Sequence, residues 1–104
     1  MSKAIVETGI CGLSSTITAT DNGDMTYKIT LESQCGAYKD TDKELTAVPM
    51  MALFDPIGTG IVYDVCRKTC KHSTCTVPSA ILKCMEVAAA MALPKDAKII
   101  LENN

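Results

Sequence analysis

The feature that most constrains the fold of this chain is the strict alternation of side chains over residues 25–32. Apolar side chains occupy every second position from 25 to 31, and threonine or charged side chains stand between them. A period of two is typical of a strand with one buried face and one wet face. A shorter alternation covers residues 16–20, and residues 21–24 between the two runs read Asp-Asn-Gly-Asp, which suits a tight turn. The pattern therefore predicts an antiparallel hairpin.

Further elements follow from the rest of the chain. We expect strands at 3–10 and at 97–102, the latter with Ile99 and Leu101 facing inward. Helices are predicted at 61–69 and 77–92, the second capped by Thr76 and closed by Pro94, and a short third helix could begin at 41–44. These elements predict an α+β fold in two layers, with an antiparallel sheet packed against two or three helices.

Length and composition predict a single domain over residues 1–104. The chain is 47% hydrophobic and 21% charged, which is ordinary for a globular protein. The formal net charge is −2, and the one basic cluster contains only Arg67, Lys68 and Lys71. Three cations are too few for a nucleic-acid footprint, so no nucleic-acid partner is expected.

The chain has no run of about twenty apolar residues, so a membrane partner is not expected either. The first residues also lack a secretory signal, which predicts a cytoplasmic location. In a reducing cytosol the six cysteines are expected to be metal ligands or free thiols. Their even number keeps a disulfide framework open as an alternative.

Cysteines and the single histidine are concentrated in one short segment. Residues 66–75 contain Cys66, Cys70, His72 and Cys75, while Cys11 and Cys35 each stand before a glycine near a predicted strand end. The hairpin would bring these two strand ends together. Thiolate and imidazole are preferred by soft and borderline metals. We therefore hypothesise a centre that is bound by the following residues: Cys11, Cys35 and Cys75, with Cys70 as the fourth ligand and His72 as its alternative.

The spacing of the thiols leaves the metal open. Four thiolates favour an iron–sulfur cluster, whereas three thiolates with one histidine also fit structural zinc. The spacing Cys-x3-Cys-x4-Cys differs from that of zinc ribbons, ferredoxins and radical S-adenosylmethionine enzymes. Cys75 precedes the 77–92 helix, whose N-terminus would stabilise a thiolate. Cys84 lies within an apolar stretch of that helix and is expected to be a core residue.

Several segments resemble a small uncharacterised family of cysteine-containing domains from anaerobic bacteria and archaea. The resemblance rests on Gly9-Ile10-Cys11-Gly12, on Ser33-Gln34-Cys35, on residues 72–83 and on Glu86-Val87-Ala88, and it spans nearly the whole chain. It implies that Cys11, Cys35, Cys75 and in addition His72 are positions shared by the family. It also implies that Cys66, Cys70 and Cys84 are particular to this chain, and it assigns no activity.

Three classes of function are compatible with these observations. The first is a small iron–sulfur protein for electron transfer or cluster delivery, which is favoured because no acid–base pair or nucleophile with a base is evident. The second is a zinc-stabilised interaction module, and the third is a thiol–disulfide redox protein. A non-enzymatic role is favoured. The 77–92 helix is apolar nearly all round, so we expect a homodimer or a protein partner to cover it.

Overall fold

A computed structural model describes residues 1–103 and contains one antiparallel sheet in the strand order β1-β2-β3-β4. The strands are β1 (Ser2–Val6), β2 (Ser15–Asp21), β3 (Thr26–Ser33) and β4 (Val48–Pro49). The helices on the sheet are α1 (Ile61–Arg67) and α2 (Val77–Ala88). Three short 3-10 helices occupy the connections: Gly36–Tyr38, Thr41–Glu44 and Met50–Phe54. The predicted α+β fold, with the sheet packed against helices, is confirmed.

The predicted hairpin forms the centre of the sheet. Its register pairs Ser15 with Ser33 at one end and Asp21 with Tyr27 at the other. Gly23 adopts a φ of 90° in the turn, a conformation that glycine reaches without steric cost, and its N–H donates to the Asp21 carboxylate over 2.7 Å. The alternate side chains of β2 and β3 that face the helices are all buried: Ser15, Ile17, Ala19, Tyr27, Ile29 and Leu31.

Helix α2 supplies most of the second layer. Its buried face consists of Val77, Pro78, Ile81, Cys84 and Met85, and it packs on β1 and β2. The helix also contacts α1 and the 3-10 helix at Met50–Phe54, so the protein's own elements cover more of it than its sequence suggested. At 12 residues it is the longest helix, and within residues 1–103 no helix combines the length and apolar character needed to cross a membrane.

The predicted end of α2 at residue 92 is wrong, because the helix stops at Ala88. The N–H of Met91 donates to the Glu86 carbonyl over 2.9 Å, and the N–H of Ala90 donates to the Val87 carbonyl over 3.1 Å. These two bonds form a Schellman motif, with Ala90 in the left-handed region at a φ of 58°. Thr76 precedes the helix but makes no side-chain capping bond.

The predicted strand at 97–102 is also wrong. Residues 93–103 have no regular secondary structure, and Ile99 and Leu101 are 74% and 89% exposed rather than inward. A strand needs a neighbouring strand for its backbone hydrogen bonds and a surface to cover its apolar face. Here the segment lies away from the sheet, so it gains neither.

Two predicted element boundaries need smaller corrections, and one short helix differs in its capping. The strand predicted at 3–10 ends at Val6, because a turn closed by the Gly12 N–H and the Gly9 carbonyl (2.9 Å) redirects the chain. The helix predicted at 61–69 ends at Arg67. The short helix predicted to begin at 41–44 is present as a 3-10 helix over Thr41–Glu44, but the expected capping box does not form, since no side chain caps it.

Candidate functional site: a thiol cleft around Tyr38

An open cleft of about 570 Å³ lies between the end of α1, the start of α2 and the 3-10 helix at Gly36–Tyr38. The residues on its lining that carry thiol, imidazole or phenol groups are Tyr38, Tyr63, Cys66, Cys70, His72 and Cys75. We call this cleft, with these residues, the thiol cleft. It brings together three of the six cysteines and the only histidine.

Tyr38 anchors the thiol cleft from the sheet side. The chain leaves β3 at Ser33, and the Tyr38 N–H donates to the Cys35 carbonyl over 3.1 Å as the first 3-10 helix forms. The ring is only 2% exposed, and its Oη lies 2.9 Å from Cys75 Sγ. Burial, and then the neighbouring thiols of Cys70 and Cys75, raise the pKa of Tyr38 far above its usual value. The phenol therefore stays protonated and can donate a hydrogen bond to a thiolate.

Cys70 and Cys75 are positioned by two short turns that join α1 to α2. The Cys70 N–H continues the helical pattern by donating to the Cys66 carbonyl over 3.0 Å. The Cys75 N–H then donates to the His72 carbonyl over 3.1 Å, which closes the loop just before α2 begins. Both thiols are half-buried and both interact with Tyr38. The structure thus places these two predicted ligands side by side.

The Cys70 thiol has the character of a reactive group. Its partial burial disfavours the thiolate, but hydrogen bonds from Tyr38, from the His72 backbone and from Cys75 together outweigh that penalty. The pKa of Cys70 is therefore below the ordinary value for a thiol. A lowered pKa increases the thiolate fraction near neutral pH, and the thiolate is the form that binds metals and attacks disulfides.

Cys66 forms the buried floor of the thiol cleft. Its side chain is 2% exposed, and burial, followed by the nearby charges of Cys70 and Cys75, raises its pKa to about 12. In the metal-free protein this thiol stays protonated. The sequence had left Cys66 in doubt, but α1 turns it toward the other two cysteines of the segment.

His72 and two cations lie on the exposed side of the same cleft. His72, Arg67 and Lys71 all line it, although His72 itself is exposed to solvent. Arg67 also pairs with Asp64 at 3.3 Å, whereas Lys68 turns away and pairs with Glu44 at 2.5 Å. Two of the three cations in the basic cluster are therefore placed where they could offset negative charge on thiolates.

Cys11 and Cys35 lie in the two loops at the end of the hairpin opposite its turn, and neither lines the thiol cleft. Gln34, next to Cys35, receives hydrogen bonds from Ser14 and donates its own N–H to the Ser14 carbonyl over 3.0 Å, which ties the two loops together. Cys35 is half-buried against the core. Cys11 is exposed, and hydrogen bonds from the Thr8 side chain (2.6 Å) and then the Leu13 backbone lower its pKa.

Cys84 behaves as the sequence predicts for a core residue. It is buried in α2, with its Sγ 3.2 Å from Ser2 Oγ, and the Ser2 hydroxyl also donates to the Cys84 carbonyl over 2.6 Å. These contacts join α2 to β1, the first strand of the sheet. Cys84 therefore has a structural role and lies apart from the thiol cleft.

The donor chemistry of the thiol cleft suits a soft or borderline metal, since three thiols and an imidazole share one surface. Cys70 and Cys75 already adjoin, and a further ligand would come from Cys66 or His72. Within residues 1–103, no three His, Cys, Asp or Glu side chains are yet arranged closely enough to hold a metal ion. Binding would therefore draw the third and fourth donors toward the central pair.

The comparison with known families covers nearly the whole chain. A protein-family model matches residues 2–101, that is, both loops with Cys11 and Cys35, the thiol cleft and α2. The chain belongs to the family of unknown function DUF6951. Searches of curated proteins and of solved structures found no match. The function of this DUF6951 domain must therefore be argued from its own residues.

Tyr38 is the hydrogen-bonding cleft residue that sequence reasoning missed, and Tyr63 was missed with it. Tyr38 is a single aromatic residue in a three-residue 3-10 helix, where no periodic pattern marks a buried position. The only available signal was its place three residues after Cys35 in a chain with just three tyrosines.

Proposed function

We propose that this DUF6951 domain is a small cytoplasmic iron–sulfur-binding protein that acts in electron transfer or cluster delivery. The observation that supports the proposal is the convergence of Cys70 and Cys75 on the Tyr38 hydroxyl, in a cleft that Cys66 and His72 also line. Cysteine thiolates are the usual ligands of such clusters. An anaerobic organism, as the resemblance implies, is the setting in which an exposed cluster would survive.

In this proposal Cys70 and Cys75 are the central ligands. Cys66, His72 and Cys35 are the candidates to complete the set, because the first two line the cleft and Cys35 lies three residues before Tyr38. Cys11 is a weaker candidate than the sequence suggested, since it is exposed and bonded to Thr8. When bound, the cluster would supply one-electron chemistry. The phenol of Tyr38 would donate a hydrogen bond to ligand sulfur, and Arg67 and Lys71 would offset its charge.

Metal and sulfide analysis after anaerobic purification tests the proposal. A brown protein with iron, acid-labile sulfide and a visible absorption band would support it. Cys70→Ser and Cys75→Ser should each lose the chromophore, whereas Cys84→Ala, a matched core cysteine, should keep it. Colourless protein that contains stoichiometric zinc would instead identify the structural zinc site that the same donors allow, and would contradict the cluster.

A thiol–disulfide redox role is a second candidate because Cys70 and Cys75 adjoin and Cys70 has a lowered pKa. In that chemistry the Cys70 thiolate attacks the S–S bond of a partner protein and releases one partner thiolate. Cys75 then loses its proton and attacks the mixed disulfide, which releases the second thiolate and leaves a Cys70–Cys75 disulfide. Metal-free protein with one reversibly titrating dithiol, absent from Cys75→Ser, would favour this role over the cluster.

A further inference from the structure

One edge of the sheet and one apolar segment are both unpartnered. β1 is an edge strand that pairs with β2 alone among residues 1–103, so its outer backbone groups face away from the sheet. The 97–102 segment lies outside the fold, with Ile99, Ile100 and Leu101 all at least 74% exposed. The backbone groups of an open edge can pair with another strand. The two isoleucines of the 97–102 segment have a high propensity for strands.

The charges of residues 3–7 and of the 97–102 segment are complementary only when the two segments run antiparallel. Lys3 and Glu7 are four residues apart, and so are Lys98 and Glu102. An antiparallel alignment that sets Ile5 opposite Ile100 places Lys3 opposite Glu102 and Glu7 opposite Lys98. The parallel alignment would set like charges opposite each other, which is unfavourable across a strand pair. None of these four side chains takes part in an ion pair within the described residues 1–103.

The same alignment places the apolar residues on the correct faces. Cross-strand partners point to the same face of a sheet, so Leu101 would stand beside Ala4 and Ile99 beside Val6. Ala4 and Val6 face the helices, since Ala4 pairs with buried Ile17 and Val6 is itself buried. Ile99 and Leu101 would thus extend the core along α2. Ile100 would cover Ile5, which is 70% exposed on the wet face.

We infer that the 97–102 segment of one copy pairs antiparallel with β1 of a second copy, and that the second copy returns the same contact. The segment forms no pairing with the sheet of its own chain in this structure, so the inference assigns it to the β1 edge of a second copy. A reciprocal exchange gives a closed two-fold dimer in which the β1 edge of each copy is paired. The contact involves no residue of the thiol cleft, so it stands or falls separately from the proposed function.

This dimer uses a different surface from the one that the sequence suggested. Helix α2 was expected to dimerise because it is apolar, but the sheet, α1 and the Met50–Phe54 helix already cover much of it. The 97–102 segment and β1 instead carry four exposed large apolar side chains: Ile5, Ile99, Ile100 and Leu101. The inward strand that the sequence predicted at 97–102 is then formed between copies.

The first test is sedimentation of the full chain, with reductant present to prevent disulfide bonds between copies. We expect a concentration-dependent dimer of the 11.1 kDa chain. Leu101→Asp should weaken the dimer by at least about tenfold, because a carboxylate would be buried beside Ala4. Ile100→Asp is the matched control on the wet face, and its effect should be clearly smaller. A wild-type chain that remains monomeric, or equal effects of the two variants, would overturn the inference.

Charge reversal then tests that the contact forms between copies. The edge variant Lys3→Glu/Glu7→Lys and the segment variant Lys98→Glu/Glu102→Lys should each dimerise at least about tenfold more weakly than wild type, with unchanged circular dichroism. An equimolar mixture should restore the dimer, because each of its two contacts again joins opposite charges. The quadruple variant combines all four substitutions in one chain. If it is a monomer whose 97–102 segment is protected from hydrogen exchange, and the mixture does not dimerise, then the segment docks on its own β1 and the inference is wrong.

Discussion

At the scale of single residues, burial and hydrogen bonding to Tyr38 move the pKa values of Cys66 and Cys70 in opposite directions from the ordinary thiol value. Tyr38 holds its proton because it is buried beside two thiols, and its hydroxyl is hydrogen-bonded to the sulfur atoms of Cys70 and Cys75. Cys70 receives that help and is partly accessible, whereas Cys66 is enclosed beneath it. A thiol that ionises readily and a thiol that stays protonated therefore line the same cleft.

Removing the Tyr38 hydroxyl should raise the pKa of Cys70. Tyr38→Phe keeps the buried ring, so the protein should fold with a loss of about 1 kcal/mol of unfolding free energy. The pH midpoint for alkylation of Cys70 in metal-free protein should move upward, because the thiolate loses a hydrogen-bond donor. Mass spectrometry after timed alkylation measures the midpoint. Tyr27→Phe, another buried tyrosine, is the control, and an unchanged Cys70 profile in folded Tyr38→Phe would contradict the account.

Four of the six thiols should also react in a defined order. At pH 8, Cys70 and exposed Cys11 should be alkylated first, since the pKa of each lies below the ordinary thiol value. Cys66 should resist, because it is buried with a pKa of about 12, and buried Cys84 should resist with it. Peptide mapping during a time course checks the order. Alkylation of Cys66 as fast as that of Cys70 in the folded protein would argue against the buried floor of the cleft.

At the scale of elements, the end of α2 shows how backbone geometry overrides composition. Alanine favours helix, and residues 88–90 are all alanine, yet the chain turns into the left-handed region at Ala90. The hydrogen bonds from Met91 and Ala90 back to Glu86 and Val87 stabilise this turn. The turn ends α2 four residues earlier than the sequence predicted, and residues 93–103 after it form no strand.

Glycine at position 90 should stabilise the protein. Ala90→Gly removes the steric cost of a left-handed alanine and should raise the unfolding free energy by about 1 kcal/mol. Ala88→Gly, two residues earlier and within the helix, should lower it by roughly 0.5–1 kcal/mol. Urea denaturation of both variants measures the two changes in unfolding free energy. Two variants that shift stability in the same direction would show that α2 does not end as described.

At the scale of the whole molecule, periodic segments were predictable and aperiodic ones were not. The alternation in β2 and β3 was enough to predict the hairpin, because successive side chains of a strand point to opposite faces of the sheet. The strand β4, at Val48–Pro49, was missed because two residues carry no period. The 97–102 segment carries a strand pattern in Ile99 and Leu101, but a pattern does not specify which strand will be its neighbour.

The candidate site was predictable in part for the same reason. Cys70 and Cys75 could be grouped from their spacing, since a short loop cannot separate them far. Whether the Cys11 and Cys35 loops reach that pair depends on how the sheet end meets the helices, which local sequence does not encode. Tyr38, on a 3-10 helix, and Cys66, on α1, line the same cleft only because tertiary packing brings these separate elements together. Their roles could be read only from the fold.

The central claim is that the thiol cleft holds an iron–sulfur cluster, and one measurement tests it most directly. Protein purified without oxygen should be analysed for iron, zinc and acid-labile sulfide, and its visible spectrum recorded. We predict iron and sulfide in comparable amounts, with a chromophore that Cys75→Ser removes and Cys84→Ala retains. Colourless protein without iron or sulfide, prepared under the same reducing conditions and correctly folded, would contradict the claim.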